Sequence, residues 1–237
     1  MPTRIPSNES VSDGMIEILL EHIARYRMTV PAAVATLPST NGRGLAGAKL
    51  VLRECRQQSL VDSAPLHGRS RYWFLTASGA NRCSVTVNRD GPLSETAKIR
   101  AFALLHFCCL SGQPRLRLTA DDIRQNFPDL YRPGLPTGYY YDPAHSGRLG
   151  LARVDASQGG RWDRVIETLR SDITDHLRQP SFKRLAEAGR FEITLLTVFP
   201  EKADRIRTAL ARHRDLDRVP IRIESVPDLL PVILSLR

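Results

Sequence analysis

The chain has 237 residues, 42% hydrophobic and 25% charged, with a formal net charge of +9 and a pI of about 9.9. That length supports one large domain or two small ones, each with its own core. No apolar run reaches the ~20 residues of a membrane-crossing helix, and the opening MPTRIPSNESVSDG lacks the apolar run of a signal peptide. A cytoplasmic protein with no membrane partner is therefore expected. Its four cysteines (Cys55, Cys83, Cys108, Cys109) are expected to be reduced thiols, since their spacing fits neither a disulfide framework nor a zinc site. HFCC at 106–109 reads as part of a core helix, because adjacent cysteines on a helix diverge by about 100°. The positive charge favours a polyanionic partner, nucleic acid being the commonest. Between Ser39 and Arg89 eight cations stand against two acids, leaving only +3 for the rest of the chain.

Residues 1–12 are expected to be a flexible N-terminus. SVSDGMIEILLEHIARYRM (10–28) places Ile16, Leu19, Leu20 and Ile23 on one face after a Ser/Asp start, which predicts an amphipathic helix. TVPAAVATLP (29–38) predicts a short second helix with Pro31 in its first turn, closed by Pro38. STNGRG (39–44) reads as a turn. LAGAKLVLRECRQQ (45–58) predicts a third helix, with Leu45, Ala48, Leu52 and Cys55 as its apolar stripe and Ala46, Lys49, Arg53 and Arg56 on another. SLVDSA, the turn PLHGRSR and the returning strand YWFL predict a hairpin, and Thr76 caps a fourth helix. Alternation along YWFL puts Tyr72 and Phe74 on one face and Trp73 on the other, so one set faces the helical core.

Three helices followed by a two-stranded hairpin is the order of a winged helix-turn-helix, expected over residues 13–90. SLVDSA…RYWFLTASG resembles the end of the recognition helix and the wing of bacterial winged-helix DNA-binding domains. Double-stranded DNA is the expected partner. The groove-facing helix begins slim, with Ala46 and Gly47. Thr40, Asn41 and Arg43 at its start, with Lys49, Arg53 and Arg56 along it, are the candidate DNA-binding residues. Arg69 and Arg71 on the wing are candidates for phosphate or minor-groove contact.

VNRDGPLSE (87–95) reads as a linker. The second domain, 94–237, opens with the apolar helix 94–112, whose Ala101, Phe102, Leu104, Leu105, Phe107 and Leu110 exceed what one helix face needs. A homodimer interface is one expectation, burial within the domain the other. PRLRLTADDIRQNFPDL predicts a short strand and a helix capped at Thr119. PTGYYYDP (136–143) and GRLGLARVDAS (147–157) predict a hairpin, and RWDRVIETLRSDITDHLRQ (161–179) a long helix. FEITLLTVF, PEKADRIRTALARH and VPIRIESV predict strand, helix and strand, and DLLPVILSLR closes the chain. The order indicates an α/β domain with a mixed sheet, hence an α+β / α/β chain overall. YYY (139–141) is a candidate for base stacking, as aromatic strands are in single-strand binders, but alternation favours Tyr140 packing inward with Tyr139 and Tyr141 sharing the other face.

The order resembles the restriction-endonuclease-like core, and residues 13 to 215 resemble the replication-relaxation family of bacterial mobile elements, in which a winged helix precedes a nuclease-like domain. That resemblance implies an acidic residue on the first hairpin strand and an acidic-x-Lys on the second, holding Mg²⁺ and positioning a water. The candidates are Asp142 and Asp155, with Arg153 as the one nearby cation on the same face as Asp155. Asp155 is followed by Ala156 and Ser157, and neither Lys98 nor Lys183 lies near, so the domain reads as degenerate, with no metal and no cofactor expected. The six histidines have no paired spacing, and His145 beside Asp142 reads as an exposed turn residue. Phosphate-binding GxxxxGK[ST] and GxSxG patterns are missing. A duplex DNA-binding regulator of a mobile element, in transcription or in plasmid or conjugative-element replication, is the expected function. A metal-dependent nuclease and an adaptor whose basic helix meets an acidic protein are the alternatives.

Overall fold

A computed structural model of the chain describes residues 11–38, 44–84, 90–145, 147–157 and 162–236. Two compact units divide it: Met1–Ala64 with Arg71–Pro92, and Pro65–Ser70 with Leu93–Arg237.

In the first unit α1 (Asp13–Tyr26) starts at Ser12, whose hydroxyl accepts the Met15 amide, and stops at Arg27 in a left-handed conformation. α2 (Pro31–Val34) carries proline at its start, and α3 (Gly44–Gln57) follows. β1 (Val61–His67) and β2 (Ser70–Leu75) form a two-stranded sheet around a turn with Gly68 at positive φ; the body of this hairpin belongs to the first unit, while its tip, Pro65–Ser70, is grouped with the second. The core joins Ile16, Leu19, Leu20 and Ile23 of α1 to Ala48, Val51, Leu52 and Cys55 of α3. Leu45, expected in that stripe, is instead 49% exposed. It lies in the first turn of α3, outside the cluster, and Val51 fills the stripe.

Thr29 and Trp73 exchange backbone hydrogen bonds of 2.9 Å, which adds a one-residue bridge to the hairpin. Trp73 packs against the helical core. Tyr72 and Phe74, on the other face of β2, are also buried, with ring centroids 5.9 Å apart. α4 (Ala77–Arg82) is capped by Thr76, whose hydroxyl accepts the Gly79 amide and donates to the Ser59 carbonyl.

The second unit opens with α5 (Glu95–Leu105), which widens into a π-helical turn over His106–Leu110 instead of running to 112. The wider turn leaves the Phe107 carbonyl to accept from Ser111 Oγ (2.8 Å) and Arg115 (3.2 Å). β3 (Leu116–Arg117) is followed by α6 (Ala120–Asn126), which begins with a capping box between Thr119 and Asp122. Then come β4 (Tyr139–Asp142), β5 (Arg148–Asp155), α7 (Trp162–Leu177), α8 (Pro180–Glu187), β6 (Phe191–Thr197), α9 (Pro200–Leu210), β7 (Ile221–Ser225) and α10 (Leu229–Leu234).

The sheet runs β3-β4-β5-β6-β7 in sequence order, with β4 antiparallel to both neighbours and β5, β6 and β7 parallel. One face is apolar: Tyr139, Leu151 and Ile193 meet Ile166, Leu169 and Ile173 of α7 and Phe182 of α8. Leu195 and Ile223 meet Ala203 and Ile206 of α9. The other face is polar and meets the π-helical turn, with Phe107 edge-on to Tyr140 at 4.8 Å. Tyr140 lies over Gly150, where a Cβ would stand 2.1 Å from the tyrosine ring. Tyr139 and Tyr140 are both fully buried, which removes them as base-stacking platforms, and Tyr141 is half-buried against the apolar core. The sheet is covered on both faces, so alternation does not leave one side wet.

The residues that suggested a dimer are used within the chain. Ala101, Phe102, Leu104, Leu105 and Phe107 are all buried, and Leu110 is half-buried. Among the described residues no helix is long and apolar enough to cross a membrane.

Candidate functional site

α3 presents Ala46, Lys49, Leu50, Arg53, Arg56 and Gln57 to solvent because its other side is spent on the core with α1. Lys49 and Arg53 have no ion-pair partner among the described residues. Arg56 faces Asp62 at 3.4 Å, both half-exposed, a contact that constrains its guanidinium weakly. Thr40, Asn41 and Arg43 lie outside the described residues. On the hairpin, Arg69 is exposed in the turn. Arg71 is not free: it donates to Ser63 Oγ (3.0 Å) and to the Ser63 carbonyl (2.5 Å), which fastens β2 to β1.

The nuclease pair is not brought together. Asp142 ends β4 opposite Arg148, which begins the eight-residue strand that Asp155 ends. At ~3.3 Å per residue the two carboxylates are ~23 Å apart along the hairpin. The resemblance to a nuclease pattern suggested the pair; the predicted hairpin itself, with Asp142 at its turn and Asp155 at the far end of the second strand, separates them.

Asp142 is a fully buried acceptor. It takes hydrogen bonds from Arg115 Nε (3.3 Å), His145 (2.9 Å) and the Ala144 amide (3.1 Å). Burial opposes its ionisation, but the bonds from His145 and Arg115 outweigh that and hold its pKa below the usual value. Arg115 also reaches Glu224 (2.9 Å), and Glu192 takes Arg148 (2.8 Å), Arg222 (3.3 Å) and the Tyr140 hydroxyl (2.5 Å). Three arginines and three acids thus satisfy one another on the polar sheet face. His145 lies in the turn with its side chain 40% exposed, as expected, and in addition donates to Asp142.

Asp155 sits at the carboxyl end of β5. Its Oδ2 is 2.6 Å from Lys202 Nζ, and its Oδ1 accepts from the Ser157 amide and hydroxyl. A lysine distant in the sequence, on α9, therefore stands against Asp155. Lys202 also donates to Ser157 Oγ at 2.8 Å. Arg153 makes a two-pronged contact with Asp172 of α7. The entrance of β4 beside them is Thr137 and Gly138, the latter's carbonyl bonded to the Ala152 amide. One carboxylate, already paired with an ammonium and flanked by a guanidinium, does not fit a divalent cation. Among the described residues no group of three or more His, Cys, Asp or Glu is placed to hold a metal ion.

The end of β5 opens onto a cavity of about 450 Å³ lined by residues of α5, β5, α7 and β6. Arg100 and Arg164 lie on its wall, and neither was singled out by sequence. A position-blind count of arginines cannot find them, because only the fold brings 100, 153 and 164 to one place.

Two histidines are structural. His22 bonds Thr29 Oγ1 at 3.0 Å, and burial, with a smaller contribution from Arg25, lowers its pKa to about 4. His176 lies between Phe182 and Phe191, with Nδ1 donating to the Asp172 carbonyl and Nε2 accepting from Tyr139. Burial lowers its pKa too. The four cysteines are free thiols. In comparisons with family models, curated proteins and solved structures, nothing matched this chain.

Proposed function

We propose that the chain is a duplex DNA-binding regulator, with a winged-helix reader in the first unit and a degenerate restriction-endonuclease-like module in the second. The observation that carries this is the outer face of α3, where Lys49 and Arg53 stand one turn apart, exposed and unpaired among the described residues. Charge alone does not make a groove reader. Here the cations lie on a helix whose opposite face is fixed against α1, and Ala46 keeps the leading turn slim. The Thr29–Trp73 bridge supports the reading, because it ties the segment before α2 to the returning strand of the hairpin. The sheet order, with β4 alone running against the other four strands, supports the nuclease-like reading of the second unit. The separation of Asp142 from Asp155 argues for a binding role over metal-dependent cleavage by that pair. The mobile-element setting, in transcription or replication, rests on the resemblance of the sequence.

The test is a gel shift on random-sequence duplex across a salt series. Replacing Lys49 and Arg53 together with Ala lowers affinity by about tenfold or more and reduces the log–log salt slope by about two, one for each lost phosphate contact. A double variant that binds like the parent removes α3 from the interface. No retardation of the parent at low salt leaves the acidic-protein adaptor as the better reading.

A further inference from the structure

The cavity at the end of β5 has a charge ledger that points to its ligand. Arg153 is matched by Asp172 and Asp155 by Lys202. Arg100 and Arg164 line the same cavity and have no ion-pair partner among the described residues. The wall therefore carries two uncompensated positive charges. Leu104, Val165, Leu169 and Leu195 supply an apolar floor beside them.

We propose that this cavity binds a small phosphomonoester, a phosphate dianion carried on an apolar or aromatic body the size of a nucleoside. Guanidinium forks match phosphate oxygens in pairs, and two of them match a group carrying about −1.5 to −2 charges at neutral pH. A carboxylate or a backbone phosphodiester carries one charge and leaves one arginine unmatched. A metal ion is repelled by the same wall, since Asp155, the one acid among its described lining residues, is held by Lys202. The volume of about 450 Å³ lies in the range of small-molecule sites, about 300–1,000 Å³. It opens beside the carboxyl end of β5, on the side of a parallel strand pair where open α/β sheets bind ligands. The proposal is independent of the DNA reading, which rests on α3.

The experiment is calorimetric titration of the full chain with adenosine 5′-monophosphate, adenosine, cyclic AMP and inorganic phosphate. The monophosphate binds, adenosine does not, and the cyclic diester binds more weakly. Affinity for the monophosphate falls as pH drops through about 6, where the dianion takes up a proton. Arg100→Ala and Arg164→Ala each weaken binding by about tenfold or more. Arg205→Ala, an exposed cation on α9, binds like the parent. Unchanged affinity in both cavity variants, no heat with any phosphate, or equal binding of adenosine overturns the proposal. Inorganic phosphate binding as tightly as the monophosphate removes the apolar body from it. Gel shifts on the same variants keep the two readings separate, because loss of duplex binding without loss of monophosphate binding touches only the first.

Discussion

Gly79 has no room for a methyl group. A Cβ there would stand 2.0 Å from the Leu60 carbonyl oxygen, and backbone cannot yield as a side chain can. Gly79→Ala is expected to cost about 1–3 kcal/mol, read as a lower midpoint in chemical denaturation of the first unit. The same close approach explains why the strand YWFL is followed at once by Thr76 and Gly79: the hydroxyl bonds the Ser59 carbonyl while the glycine lets α4 lie against Leu60. In the second unit Asp155 and Lys202 are 11% and 6% exposed at their side chains. Removing one partner strands the other. Lys202→Met is expected to destabilise by about 3–5 kcal/mol, and adding Asp155→Asn to recover most of the loss, since the pair's net contribution is small beside the cost of a lone buried charge. A double variant no more stable than the single one contradicts this.

The elements differ in how far the sequence reveals them. α1 and α3 are legible because each repeats an apolar residue at helical spacing, and β6 because FEITLLTVF is a short, mostly apolar and β-prone run closed by Pro200. α8 escaped, although Pro180 at its start and Gly189 just past its end were available signals. Its apolar residues are few, Phe182, Leu185 and Ala186, too short a stripe to mark a helix by periodicity. What the sequence could not yield is which distant elements meet. The separation of Asp142 from Asp155 follows from the predicted hairpin, because the first ends its strand at the turn and the second ends the other strand far from it. Lys202, Asp172, Arg100 and Arg164 were invisible because they are distant in the chain from the acid they surround. The hairpin shows the finer version of this limit. Arg69 and Arg71 look equivalent in HGRSR, yet only Arg71 is bound to Ser63. Arg71→Ala is therefore expected to lower hairpin stability by about 0.5–1.5 kcal/mol. Arg69→Ala is expected to leave stability unchanged and weaken binding to all duplex sequences alike. Thermal melts and gel shifts on the two single variants separate them, and identical behaviour in both assays contradicts the assignment.

Across the whole molecule, acid acts on both units through histidines kept neutral in the fold. For His22 the folded pKa is about 4 against 6.5 for the free side chain. Between those values the unfolded chain binds the proton and the folded chain does not, so unfolding is favoured as pH falls. The stability at stake is fully present above about 6.5, shrinks through that window and levels off below about 4. Its size is about 3 kcal/mol at ~1.4 kcal/mol per pKa unit. His176 shifts in the same direction in the second unit, so both lose stability on mild acidification. Asp142 adds a later step. Its pKa is held below the usual 3.8, so its contribution is present above that value and is lost as pH falls through the folded pKa. Denaturation midpoints of the full chain, followed from neutral pH to about 4, are expected to fall steadily. His22→Gln removes the titrating group and keeps a polar side chain to meet Thr29 Oγ1. The variant is expected to be less stable at neutral pH and to show a flatter slope through the window. A variant whose slope matches the parent's shows that His22 does not drive the acid sensitivity of the first unit, and that its neutral, hydrogen-bonded state is not what acid disrupts.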